Sequence, residues 1–549
     1  MKKITISILN VIILITLSSC FLLDLLRPWP VFEKKAGAID FVDLSINNIR
    51  TNFINLYYVS ADGMLLDSGT VPYVNADEFY YLIRPVINWR YIEHQSLGNG
   101  ILSTKFRMGG GVFMGIEVDF NNSTVTIDSF DYFRFLGADL SDTEIGMISV
   151  VESFVNDDYV ETITIDLLNY GLPLFYIEGL FLMPLHVANT LYSGDWFTVF
   201  YNGDYLYGLT FDQIDNQHTI ARIYNSSLNH QSMSVDFMEY TRNFTYFYFS
   251  YFYGLRGLQL ELNNIDTLAR LIDNSLPNLT SANNFNFTLG MRDFIISLDD
   301  LHTSMIFPGV FLPPTWTLPQ LTLNDLGPRE RHFHETRNFI RPTVFGPSGS
   351  SLRNMFEIDG DTLIIFFTEF NQTNTEAIKT YLMSIPANIK NIVWDLSFNT
   401  GGVVGSAIEL LGFFMKDIPL NILNPTDNTM TGLIYQTTHK STVRMLAQQQ
   451  FVLTSAVTYS AANLMAVTLA LNNSATLIGQ RASGGSCAIA YVFLPDGTLI
   501  VHSSLMQLTD NDFNAYYFEF GKPVHFLMEN VTSRSELRNL IANINALRP

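Results

Sequence analysis

From residue 355 to residue 549, short apolar runs alternate with helical stretches, and this alternation constrains the fold more than any other feature of the chain. Residues 362–367 and 389–396 read as strands buried on both faces, and residues 374–383 and 405–415 as helices. A strand at 451–454, a helix at 461–471 and a strand at 475–478 continue the pattern. A last helix at 534–546 is announced by the capping box Ser533-x-x-Glu536. Such alternation predicts an α/β domain with a mostly parallel sheet covered by helices.

Two turns in this region carry chemistry. In Thr458-Tyr459-Ser460-Ala461-Ala462-Asn463-Leu464-Met465, Ser460 stands where a buried strand breaks into a buried helix. Its hydroxyl is thereby near the first free N–H groups of the helix and the positive end of its dipole. That setting suits a nucleophile, because the same N–H groups can hold an oxyanion. Taken alone, the residue also reads as a plain N-cap. The second turn is Asp395-Leu396-Ser397-Phe398-Asn399-Thr400-Gly401-Gly402. Adjacent glycines allow close backbone approach and present bare N–H groups, or simply make a turn. It is not a phosphate loop, because G-x-x-x-x-G-K is missing.

The N-terminus reads as an export signal. Lys2 and Lys3 precede an apolar run at 4–17, and Leu17-Ser18-Ser19-Cys20 matches the bacterial lipobox. Cys20 is then the lipidated residue, and the bulk of the protein lies outside the cytoplasmic membrane, anchored as a lipoprotein. An uncleaved membrane helix is the competing reading, weakened by Asp24. Cys487 is the other cysteine, so the mature chain forms no intrachain disulfide and no cysteine-based zinc site. No cofactor or metal is implied. A net charge of -21 argues against nucleic acid as a partner.

Between signal and α/β region the chain divides by pattern. Residues 1–20 are the signal and 21–35 a tether. Residues 36–225 are β-rich, with a hairpin signal at 119–127. Two passages there, at Val71-Pro72-Tyr73-Val74 and Met183-Pro184-Leu185-His186, each read as strand, Pro-initiated helix and strands. They faintly resemble the N-terminal module of copper amine oxidases, and His186 reads as structural. Residues 226–306 are helical, with an aromatic run read as core, and end at Asp299-Asp300-Leu301-His302-Thr303. Residues 307–354 hold seven prolines between Pro308 and Pro347 and read as a linker, with His332 and His334 in solvated loop. Residues 355–549 form the α/β domain.

The Asp-Leu-x-x-Asn-x-Gly-Gly turn, the Tyr-Ser-Ala-Ala serine, Ile478-Gly479-Gln480-Arg481-Ala482-Ser483-Gly484 and the upstream Asp300-Leu301-His302-Thr303 occur in a fixed order. The set resembles the C-terminal-processing serine peptidases, the family of tail-specific proteases and the tricorn core, over roughly residues 235–549. The resemblance implies a ClpP/crotonase-like catalytic domain with Ser460 as nucleophile. Gly401 or Gly402, with the N–H of Ala461, would form the oxyanion hole. No lysine lies between Ser460 and Lys522, so the serine–lysine dyad of tail-specific members is excluded. The tricorn-like arrangement fits instead, with His302 as base and Glu519 as its carboxylate partner; Asp299 and Asp300 are alternatives to Glu519. The chain departs from the family at Ser397, Asn463, Ala482 and Leu301, which touches the orientation network and the grip on substrate. Residues between His302 and Thr362 look too few and too irregular for a PDZ domain, and none is expected.

The function expected is a membrane-anchored serine endopeptidase acting on polypeptides through an acyl-enzyme. A degenerate relative that binds peptides or apolar ligands without cleaving them is the alternative, and an envelope binding protein dominated by its N-terminal half is a third.

Overall fold

The computed structural model describes residues 32–547, apart from 36, 46–50, 108–112, 137–147, 157–160, 195–196, 215, 275, 280–282, 313–316, 347–348, 350–351 and 438–447. Cys20, the rest of the export signal and most of the tether lie outside the described residues. Among the described residues no helix is long and apolar enough to cross a membrane.

A six-stranded sheet organises the C-terminal part, in the order Phe356–Asp359, Thr362–Phe366, Asn391–Asp395, Gln449–Thr454, Thr476–Gly479, Phe526–Leu527. The first pair is antiparallel and the others are parallel. Its central strands read as apolar runs because both faces are covered. Leu363, Ile365, Ile392, Trp394 and Val452 face helices Val404–Leu411 and Ala461–Leu471. Ile364, Phe366, Val393, Phe451 and Leu453 pack with residues of helices Pro328–Phe345 and Arg534–Ala546. Register sets the site. Asp395 lies opposite Leu453, and Thr454 opposite Gly479. The turns that follow these strands therefore leave the same sheet edge, where open parallel sheets form crevices.

A second, antiparallel sheet has the order Ile148–Asn156, Met430–Thr437, Ile418–Leu423, Leu499–Thr509, Ser304–Phe307, with Cys487–Phe493 also paired to Leu499–Thr509. Its strands come from three of the regions separated on sequence pattern. The main apolar core likewise joins Phe41, Phe79 and Phe200 to the aromatic helix Val235–Phe252 and to Val492, Phe493 and Leu499. The N-terminal part holds sheets of four, five and three strands, with helices Ala76–Ile83 and Leu185–Ser193 on them. His186 is buried there against the Tyr240 hydroxyl at 3.0 Å, a structural place.

The linker expected at 307–354 is corrected. It contains an 18-residue helix, Pro328–Phe345, carrying His332 and His334. Pro328 occupies the first turn, where its missing N–H costs nothing. Asp299 caps that turn, accepting from the Arg329 and Glu330 N–H groups at 2.9 and 3.0 Å. Phe333, Thr336, Ile340 and Val344 make the buried stripe that holds the helix down.

Candidate active site

Strand Gln449–Thr454 delivers the chain to a turn sewn into its surroundings. Ser455 Oγ donates to Ser397 O at 2.6 Å, and Thr458 Oγ1 to Leu396 O at 2.7 Å. Tyr459 N donates to Asn399 O at 3.2 Å, and Ser460 N to Gly484 O at 2.7 Å. The turn is thus fixed between the glycine turn and the segment after Gly479. Ser460 has φ 53° and ψ -126°, a conformation unfavourable for a residue with a Cβ. Its side chain makes no capping hydrogen bond, so the N-cap reading does not hold.

The glycine turn meets the serine directly. A Cβ at Gly401 would stand 2.7 Å from Ser460 Cβ and 3.0 Å from Ala461 N. Only a glycine fits, and φ of 103° asks for one as well. Asn399 holds the turn: its Nδ2 donates to Phe367 O at 3.0 Å, and its Oδ1 accepts from Gly401 N at 2.9 Å. Gly401 N–H is therefore spoken for. Among the described residues the N–H groups of Gly402 and Ala461 have no acceptor. Of the two glycines weighed for an oxyanion hole, Gly402 keeps the free donor, and Gly401 gives the space.

His302 lies in the turn after helix Asn284–Ser297, its backbone N donating to Asp300 Oδ1 at 3.0 Å. Its ring packs on the ring of Tyr459, the residue before Ser460, with centroids 4.6 Å apart. Burial pushes the imidazole down to about 4, with Asp300 acting against the shift and Arg329 adding to it. The ring is neutral at physiological pH, as a base must be. Its Nδ1 is buried and has no hydrogen-bond partner among the described residues.

Glu519 is not that partner here. It is buried at the end of the short helix Tyr516–Phe520, and its Oε2 accepts from Ser486 N and Oγ at 3.0 and 2.7 Å. Its Oε1 stands 2.7 Å from Arg329 Nη2 as an ion pair, without hydrogen-bond alignment. Burial raises the Glu519 carboxyl, and Arg329 pulls it back. Burial also opposes charge on Arg329, yet Glu519 and nearby groups hold its proton more tightly than usual. The alternatives are occupied too. Asp299 caps the helix Pro328–Phe345, and Asp300 accepts from His302 N, Thr303 Oγ1, Tyr253 OH and Ser503 Oγ.

Two of the family departures have visible effects. Ser397 N and Oγ both donate to Asp395 Oδ1, and Arg353 meets Asp395 Oδ2 at 2.8 Å. Asn463 Nδ2 donates to Phe518 O at 2.7 Å, tying the helix Ala461–Leu471 to the helix of Glu519. Arg329 was not singled out from sequence. Its signal was Pro328 followed by the spacing Phe333, Ile340, Val344, which the surrounding prolines obscured.

Residues 361–514 match the model of peptidase family S41. No curated protein matches the sequence. Among solved structures, mature CPAF is similar at 11% identity, covering 55% of this chain and 96% of that one, with a TM-score of 0.41. A lipoprotein from Streptococcus agalactiae is similar at 14% identity, covering 56% and 96%, with a TM-score of 0.35. The photosystem II D1 C-terminal processing protease is similar at 15% identity, covering 30% and 42%, with a TM-score of 0.26.

Proposed function

We propose that the protein is a serine-type endopeptidase whose nucleophile is Ser460, a reading supported by the match of residues 361–514 to the model of peptidase family S41. The observation that carries this reading is the elbow itself. Ser460 sits at positive φ with a side chain that makes no capping hydrogen bond, against a glycine that leaves it room, beside two N–H groups without acceptors among the described residues. Ser460 Oγ attacks a peptide carbonyl and passes its proton to His302. The N–H groups of Gly402 and Ala461 take the charge that develops on the carbonyl oxygen. The protonated imidazole then gives its proton to the leaving amine, and water releases the acyl group by the reverse path. Glu519 supports the imidazolium after exchanging Arg329 for His302. The lipobox supports attachment of the mature chain to the outer face of the cell membrane through Cys20.

A binding protein without hydrolysis is the second reading, favoured by the hold of Arg329 on Glu519. A fluorophosphonate separates the two. The peptidase reading expects an adduct on Ser460, mapped by mass spectrometry, that Ser460→Ala removes and His302→Gln slows at least ~100-fold. Folded protein without an adduct would overturn it.

A further inference from the structure

Beside the Ser460 turn lies a groove of about 530 Å³ that the steps above leave unused. Arg329, His332 and Arg481 line it, in a chain where 52 acidic residues outnumber 31 basic ones. Glu261 is the one carboxylate among its lining residues. Leu258, Leu262, Tyr516 and Phe520 supply apolar surface. The groove adjoins the nucleophile through the backbone: Ala482 and Ser483 line it, and the next residue, Gly484, accepts the Ser460 N–H.

Arg481 is set for recognition. Its Nε donates to Gly521 O at 2.9 Å, and its guanidinium lies 5.5 Å from the centre of the Tyr516 ring. Those contacts fix the plane of the group and leave its two Nη groups free of any carboxylate among the described residues. Arg329 lies on the floor, where its Nη2 donates to Ser483 O at 3.2 Å and its charge is paired with Glu519. A guanidinium held against aromatic and apolar surface matches a carboxylate carried on an otherwise apolar segment.

We propose that this groove is a subsite for the acidic side chain of a bound polypeptide, and that Arg481 is the residue that reads it. This rests on the peptidase reading for its substrate class, though not for its test. The test uses the full chain carrying Ser460→Ala, which binds without cleaving. Fluorescein-labelled decapeptides of Ala and Leu, each with one Glu, are paired with twins holding Gln at the same position. Fluorescence anisotropy is expected to show at least one Glu peptide binding ~10-fold tighter than its twin. Adding Arg481→Glu abolishes that preference and leaves the melting temperature unchanged. The proposal is overturned if Glu and Gln peptides bind alike, if none binds, or if the preference survives Arg481→Glu. The fluorophosphonate adduct on the wild-type protein is read in parallel. An adduct without acid preference removes the subsite and keeps the peptidase; acid preference without an adduct does the reverse.

Discussion

Arg329 and Glu519 face each other across 2.7 Å, the carboxylate buried and the guanidinium largely so. The pair joins the helix Pro328–Phe345 to the short helix Tyr516–Phe520. Removing one partner leaves a buried charge uncompensated. Arg329→Met is therefore expected to destabilise the fold by about 3 kcal/mol. Combining it with Glu519→Gln should recover part of that loss. Urea unfolding of the two single variants and the double variant measures the coupling; strictly additive losses would show that the contact contributes nothing.

Gly401→Ala places a methyl group 2.7 Å from Ser460 Cβ at a φ of 103°. The backbone must shift, and the serine moves with it. Fluorophosphonate labelling should slow by ~100-fold, with a stability loss of about 1–3 kcal/mol. Labelling at the wild-type rate would mean that the turn relaxes away from the nucleophile without consequence.

The pH profile follows from His302. Its neighbours are Asp300, Arg329 and Tyr459, and burial outweighs them, holding the ring near 4. The labelling rate should rise as pH increases through about 4 and then stay level through neutrality, where the imidazole is already free to accept a proton. A midpoint near the ordinary 6.5 would contradict the buried setting. The same shift bears on stability. The unfolded chain takes up the proton first as pH falls, so the contribution is full above 6.5 and drains away toward about 4.

Asn399→Ala removes the clasp on the glycine turn. Phe367 O and Gly401 N, which now meet the Asn399 side chain, lose their partners in a fully buried place. A cost of about 2 kcal/mol is expected. The labelling rate should fall ~10-fold or more, because the oxyanion donor of Gly402 hangs on that turn. Thermal unfolding and labelling kinetics on one preparation separate the two effects.

The C-terminal sheet was legible because its central strands are buried on both faces and alternate with helices along the chain, a pattern with few interpretations. Ser460 and the two glycines were legible because chemistry and chain geometry coincide at strand ends. What was hidden depended on partners distant in the chain. Nothing local to Glu519 announces Arg329, and nothing local to His302 reveals an Nδ1 without a partner. The helix Pro328–Phe345 was masked by prolines whose conformational meaning differs with position: Pro328 starts it, and Pro342 lies within its length. The antiparallel sheet was obscured in another way. Ile418–Leu423 alternates between buried and half-buried residues, a weaker signal than an unbroken apolar run.

Strand Ile148–Asn156 completes its sheet by pairing with Met430–Thr437. A ribosome makes the first of these long before the second. During synthesis that early strand has no native neighbour on its sheet, and its backbone donors and acceptors stay open to other chains. Assembly of this antiparallel sheet is thus a late event with high contact order, slow by nature and exposed to aggregation while it waits.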